Sequence, residues 1–240
     1  MLLKLSNIYA GYEGGDVLKG INLAVEQGTT TCIVGPNGAG KSTVLRVLSG
    51  LLKLRLGEIT FEGRSIVGLT PRKILARGIV QVPQSHSLFP SMTVQENVRL
   101  GAYMLNNTAL VERRLHEVEE MFPIVKARAR DKAGNLSGGQ QRLVEFARCL
   151  MLNPRLIMLD EPSMGLDPHT FKQVIETIKM MQSSGKTIIL VEQNARTGLS
   201  LADNGVVLES GRVRLEGPHA EILNNPEIGH LYLGGTLSNA

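Results

Sequence analysis

Gly35–Ser42 reads GPNGAGKS. The pattern is G-x-x-x-x-G-K-[ST], and its flanks decide how it is read. Thr29–Val34 before it is a short, β-branched run. Ser42–Leu52 after it is apolar at Val44, Leu45, Val47, Leu48 and Leu51, the spacing of an amphipathic helix. A strand therefore enters a glycine-rich turn and a helix leaves it. In such a turn Gly35, Gly38 and Gly40 let backbone N–H groups curl around a phosphate without Cβ clashes, with Pro36, Asn37 and Ala39 completing the loop. The following helix points its positive end at the anion. Lys41 is expected on the β- and γ-phosphates, the Ser42 hydroxyl on Mg²⁺ and Thr43 near the α-phosphate. A turn that matched by chance would not carry a strand and a helix on its two sides.

Further along, Leu156–Glu161 reads LIMLDE. Four apolar residues carry the chain through a sheet, and Asp160 emerges at the strand's C-terminal end, where ligands bind in α/β folds. Asp160 can hold Mg²⁺ through water. Glu161 can orient or deprotonate an attacking water. Adjacent carboxylates are costly without cations nearby, and Mg²⁺ and Lys41 would supply that charge. An acidic surface turn is the plain alternative, weakened by the phosphate loop upstream.

Around these motifs the pattern alternates. Short strands are expected at Leu2–Ile8, Ile21–Val25, Glu58–Phe61 and Thr187–Val191, and a helix over Pro168–Ser183. A hairpin is expected from Val206–Glu209 and Arg212–Leu215. Val94–Met121 is helical with a break at Asn106–Thr108, and Leu143–Leu152 is helical again. Alternating strand and helix implies an α/β fold with a mostly parallel sheet covered on both faces. The middle, roughly 86–152, reads as a helical lobe inserted into that core.

Composition narrows the field. The 240 residues suit one large domain. Aromatics at 4% and the absence of Trp argue against a surface that stacks on nucleic-acid bases, so no nucleic-acid partner is expected. The net charge of +4 is dispersed; its densest cluster, Lys126–Lys132 (KARARDK), reads as solvated surface. Cys32 and Cys149 lack metal-like spacing and read as buried free thiols. Met1–Ser6 alternates like a strand rather than a leader. No apolar run approaches the ~20 residues of a membrane span, so a cytoplasmic chain is expected, with any membrane role supplied by a partner.

Leu136–Arg142 reads LSGGQQR and opens a helix. Ser137, Gly138, Gly139 and Gln140 make a second anion-binding helix start on a chain with one phosphate loop. With this motif the whole chain resembles the ATP-binding cassette (ABC) ATPases, whose signature is LSGGQ. The resemblance implies ATP and Mg²⁺ as ligands and a P-loop ATPase core with an antiparallel β lobe. One ABC ATPase domain, 1–240, would comprise core and β lobe at 1–85 and 153–240, and a helical lobe at about 86–152. It implies a head-to-tail dimer with a second ABC ATPase subunit, identical or not, in which the signature of one subunit completes the ATP site of the other. Transmembrane permease subunits and, indirectly, a solute-binding protein would be partners, and the chain would sit on the inner face of the plasma membrane.

Single positions match as well. Tyr12 resembles the aromatic that stacks on adenine, a core tyrosine being the alternative. Gln84 resembles the Gln that reaches Mg²⁺ and the catalytic water. Asp167 resembles the loop that crosses the dimer interface. Leu88, Phe89 and Met92 suit a groove for a permease helix, or else the lobe core. One position departs: Leu190–Asn194 reads LVEQN, with Gln193 where the family usually has His. Gln can donate a hydrogen bond to a γ-phosphate but cannot titrate. The five histidines read as surface or structural. Gln193, Glu221–Pro226 (EILNNP) and Leu231–Gly235 (LYLGG) resemble the branched-chain amino acid importer subunits. Gln84 and Asp167 look like the wider family, including lipopolysaccharide-exporting relatives. A weakly hydrolysing soluble module is the third reading.

Overall fold

From the N-terminus the chain forms β1 (Leu3–Tyr12), β2 (Gly15–Val25), β3 (Thr30–Val34), α1 (Lys41–Leu48), β4 (Leu56–Phe61), β5 (Arg64–Ser65), α2 (Pro71–Ala76) and β6 (Ile79–Val82). Then come α3 (Val94–Leu100), α4 (Thr108–Met121), α5 (Pro123–Ala127), a 3₁₀ turn at Ala133–Asn135, α6 (Gly138–Leu150), β7 (Leu156–Asp160) and α7 (Pro168–Ser183). The last third gives β8 (Thr187–Glu192), α8 (Ala195–Ser200), β9 (Asn204–Glu209), β10 (Arg212–Pro218) and α9 (His219–Leu223). The computed structural model describes residues 1–85 and 87–226. The expectations for His86, His230 and Leu231–Gly235 lie outside the described residues.

Two sheets divide the work. A six-stranded sheet runs β10-β9-β3-β8-β7-β6, and all its pairs are parallel except β9 with β10. A four-stranded antiparallel sheet runs β2-β1-β4-β5. β3, β7 and β8 are buried at every position, which is why their sequences are continuous apolar runs rather than alternating ones. Their alternation still matters. Ile33, Met158 and Ile189 join a core with β1, β2, β4 and α1, while Cys32, Val34, Leu159 and Leu190 join a second core with α3, α4, α6 and α7. The mainly parallel sheet is thus the wall between the antiparallel sheet with α1 and the layer of α3, α4, α6 and α7.

Local signals explain the element ends. α1 stops at Leu48, short of the expected Leu52. Gly50 takes φ 71, and the amides of Gly50 and Leu51 return to Val47 O (3.1 Å) and Arg46 O (2.9 Å), a Schellman closure. A Cβ at Gly50 would lie 2.9 Å from the backbone oxygen of Leu69, which together with the positive φ favours glycine there. The break in Val94–Met121 is wider than expected, because α3 ends at Leu100 and Asn107 caps the next helix by accepting from the Leu110 amide at 3.0 Å. Pro168–Ser183 is helical over the expected span, with Asp167 as cap and Gly185 at φ 75 beyond it. Both cysteines are free and buried; burial pushes the Cys149 thiol up to about 12. Residues 126–132 are exposed or half-buried, as a solvated surface should be. Among the described residues no helix is long and apolar enough to cross a membrane.

Candidate active site

The parallel strands deliver their loops to one edge. β3 ends at Val34 and feeds Gly35–Gly40; β7 ends at Asp160 and β8 at Glu192. The loop needs glycine at two points for different reasons. A Cβ on Gly35 would lie 2.2 Å from Leu208 O, a backbone clash. Gly40, at φ 104, is the residue before α1, and its Cβ would meet Leu18 Cδ2 at 2.8 Å. Lys41 then turns back over the loop. Its Nζ donates to Gly35 O (2.9 Å) and Pro36 O (3.2 Å) and lies 3.9 Å from Glu161 Oε1, with the residue only 5% exposed.

The acidic pair faces this lysine. Ser42 Oγ donates to Asp160 Oδ1 at 3.0 Å. Burial pushes the Asp160 carboxyl up, opposed by the Ser42 hydrogen bond and by the charges of Lys41, Arg142 and Arg46. Glu161 adopts φ 45, a left-handed conformation that costs a non-glycine residue about 1–3 kcal/mol. Its amide donates to Val191 O at 2.9 Å, which ties the turn to β8. Gln84 closes the far side, with Nε2 donating to Glu161 Oε2 at 2.9 Å. One cleft is lined by Asn37, Gly38, Gly40, Lys41, Ser42, Thr43, Gln84, Glu161 and Gln193, together with Val17 and Met164.

Other expected residues stand apart from that cleft. Ser137 caps α6 in a reciprocal box: its Oγ accepts from the Gln140 amide (3.3 Å) and Gln140 Oε1 accepts from the Ser137 amide (3.1 Å). Ser137 and Gln140 line a separate hollow with His169 and Thr170. Gly139 is pressed against α7, where a Cβ would come within 2.1 Å of Thr170 Cγ2. Asp167 Oδ1 accepts from the His169 and Thr170 amides at 3.0 and 3.1 Å; hydrogen bonding from the Thr170 side chain first, and then from these amides, holds its carboxyl below the usual range. Tyr12 is half exposed; Arg46 lies over its ring at 5.9 Å and donates to its hydroxyl at 3.2 Å. It lines a hollow with Glu13, Asp16 and Lys53–Arg55 rather than the phosphate cleft. Phe89 lines an apolar groove with Leu75, Val82 and Tyr103, whereas Leu88 packs against the helical core.

Several residues around the cleft escaped the sequence reading. Val17 and Met164 carry no chemical signature. Glu192 does: it is a charge at the end of the apolar run TIILVE, beside Gln193. It is 4% exposed, and Oε1 accepts from the Ser163 amide at 3.2 Å. Burial raises its carboxyl above the ordinary 4.5, partly offset by the Ser163 bonds, and the Glu161 charge pushes the same way. A carboxyl raised on folding contributes stability that is complete below its unfolded value and is lost as pH rises through the folded one. Glu192→Gln keeps an acceptor for Ser163 but cannot ionise. Its Tm should therefore gain on the unaltered chain as pH is raised from about 5 to about 8; a pH-independent difference would show that Glu192 does not ionise at a cost in the fold.

Comparison with known proteins agrees with this geometry. The family model described as ABC transporter matches residues 18–164. The chain is 37% identical over 234 residues to the high-affinity branched-chain amino acid transport ATP-binding protein BraG of Pseudomonas aeruginosa, covering 98% of this chain and 100% of that one. It is 33% identical to the probable branched-chain amino acid transport ATP-binding protein LivF of Archaeoglobus fulgidus, over 97% and 99% of the two chains. A nucleotide-free ATP-binding cassette from an ABC transporter superposes with a TM-score of 0.86 at 29% identity, covering 98% of this chain and 99% of that one. A dimeric cassette in a post-hydrolysis state, bound to ADP and Pi, gives 0.80 at 29% identity, over 91% and 99%. A nucleotide cleft on the edge of a parallel sheet, a family model spanning most of the chain and relatives matched from end to end lead to one conclusion: the chain belongs to the ABC transporter family, as an ATP-binding cassette that hydrolyses ATP.

Proposed function

We propose that this cassette powers a branched-chain amino acid importer, bound to permease subunits on the inner, cytoplasmic face of the membrane and paired head to tail with a second ATPase subunit. The solute follows from the end-to-end likeness to BraG and LivF, which does not favour the lipid-exporting alternative. The pairing is carried by one observation. Lys41, Ser42, Glu161, Gln84 and Gln193 share one cleft, while Ser137 and Gln140, at a capped helix start, line another surface of the same chain. A second anion-binding helix start with no phosphate loop of its own suits the site of a partner.

Within the cleft each side chain has a task set by its chemistry. Backbone amides of Gly35–Gly40 cradle the phosphates, and the Lys41 ammonium neutralises the β- and γ-oxygens. Ser42 Oγ and Asp160 Oδ1, 3.0 Å apart, with the Gln84 amide nearby, are an all-oxygen donor set of the kind that suits Mg²⁺. When bound there, the ion would offset charge on the phosphate oxygens. Glu161 accepts the proton of the attacking water, and Gln84 orients it through their shared hydrogen bond. Gln193 donates its amide to the γ-phosphate and takes no proton. Tyr12, half exposed, offers its ring to adenine, and Asp167 stiffens the segment that meets the other subunit.

The importer reading is tested with the complete assembly in liposomes: this chain, its second cassette, the permeases and a leucine-loaded binding protein outside. Labelled leucine should accumulate, and ATP hydrolysis should rise several-fold when the loaded binding protein is added. Hydrolysis indifferent to leucine, isoleucine and valine would remove the solute assignment and leave the ATPase standing.

A further inference from the structure

Arg142 follows the signature stretch on α6 and is 3% exposed. Its guanidinium is spent on four acceptors. Nη1 donates to Pro83 O (2.7 Å) and to Glu145 Oε2 (2.9 Å), Nη2 to Gln84 O (3.3 Å) and Nε to Pro162 O (3.4 Å). The acceptors at Gln84 and Pro162 matter most. Gln84 is one end of the Gln84–Glu161 hydrogen bond, and Pro162 adjoins the other. One planar group therefore grips the backbone on both sides of the contact that aims the water-activating carboxylate.

The same face of α6 continues the grip. Residues three apart on a helix share a face. Glu145, 2% exposed, accepts from both the amide and the hydroxyl of Ser87. Arg148 donates to Ser87 O at 2.9 Å and to Ser87 Oγ. Ser87, Glu145 and Arg148 also line the apolar groove with Phe89 and Tyr103. α6 thus joins the groove, the Gln84–Glu161 contact and, at its N-terminus, Ser137–Gln140.

We propose that Arg142 is a positioning residue for hydrolysis, which sets the Gln84–Glu161 contact by holding both of its backbone ends and, through Glu145 and Ser87, makes that contact respond to the groove. The inference rests on the role given to Glu161 above. Lysine cannot replace the arginine, because a single ammonium on a flexible stem cannot reach three backbone carbonyls and a carboxylate in fixed directions. The network predicts a kinetic split. None of these four Arg142 hydrogen bonds goes to the phosphate loop, so ATP affinity should persist while the chemical step slows.

The test compares the unaltered chain with Arg142→Lys and Glu145→Gln, measuring ATP binding, kcat, KM and Tm. Arg142→Lys is expected to lose about tenfold or more in kcat with Kd and KM within about threefold, and Glu145→Gln to show the same split more weakly. Folded variants with undiminished kcat overturn the proposal. So does a loss of ATP affinity that tracks a fall in Tm, the mark of a merely structural role. Hydrogen exchange on the unaltered chain needs no variant to fold. A non-hydrolysable ATP analogue should change protection in segments 84–89 and 161–164 together, and a response in one alone overturns the coupling. An unaltered chain that fails to bind or hydrolyse ATP would instead sink the functional reading itself.

Discussion

Lys41→Ala is expected to weaken ATP binding by roughly 100-fold or more. The reasoning starts from where the ammonium sits. It is almost fully buried, between the carbonyls of Gly35 and Pro36 and 3.9 Å from Glu161. It is therefore held in place before nucleotide arrives and pays little ordering entropy on binding. A hydrogen bond to a charged group contributes about 1.5–3 kcal/mol net, and Lys41 would make two, to β- and γ-oxygens. Their loss corresponds to at least about 3 kcal/mol, which is the 100-fold stated. The alanine also removes the ammonium that stands 3.9 Å from Glu161, so the carboxylate faces the phosphates with less compensating charge. Titration with a fluorescent ATP analogue reads the effect, and an affinity within about threefold of the unaltered chain, in a protein of normal Tm, would remove Lys41 from the site.

Glu161→Gln has the second large effect, on rate rather than binding. The amide has nearly the carboxylate's shape and can still accept from Gln84 Nε2 through its oxygen. It cannot take a proton. Loss of a general base costs about 10²–10⁴-fold in the chemical step, so kcat should fall by that much. ATP should bind as tightly or more tightly, because one negative charge has left the neighbourhood of the phosphates. Stalled before hydrolysis, the variant should dimerise when ATP is added, which light scattering or size-exclusion chromatography detects. A chain that stays monomeric at high concentration with saturating ATP, both alone and mixed with its second cassette, would overturn the head-to-tail closure.

These two residues were legible because each lies in a contiguous motif whose flanks declare its setting. GPNGAGKS between a β-branched run and an apolar helix pattern, and LIMLD before Glu161, need only local preferences over a few residues. Pro168–Ser183 was legible for the same reason: Asp167, Pro168 and Gly185 mark its two ends chemically. The short helices α2, α5, α8 and α9 were not, because five or six residues hold too few turns to show a period. Arg142 and Glu192 were in plain view as letters, but nothing in their neighbourhood says that one fills three carbonyls from distant loops and the other is buried beside Ser163.

By itself, then, the sequence determined the chemistry on offer: a phosphate loop, an acidic pair at a strand end, a second anion-binding helix start and an amide in place of an imidazole. Only the tertiary structure decided which of these meet. β3, β8 and β7 are successive parallel neighbours, so the phosphate loop, Gln193 and Asp160 emerge at one edge, although long stretches of chain separate them. Gln84 reaches Glu161 across 77 residues because β6 and β7 pair in parallel. Ser137–Gln140 is carried to another surface by the helices packed on the opposite face. The reason is physical. A motif is specified by dihedral preferences and hydrogen bonds within a few residues, whereas strand order is settled by burying both faces of a whole sheet at once, and that no short stretch encodes.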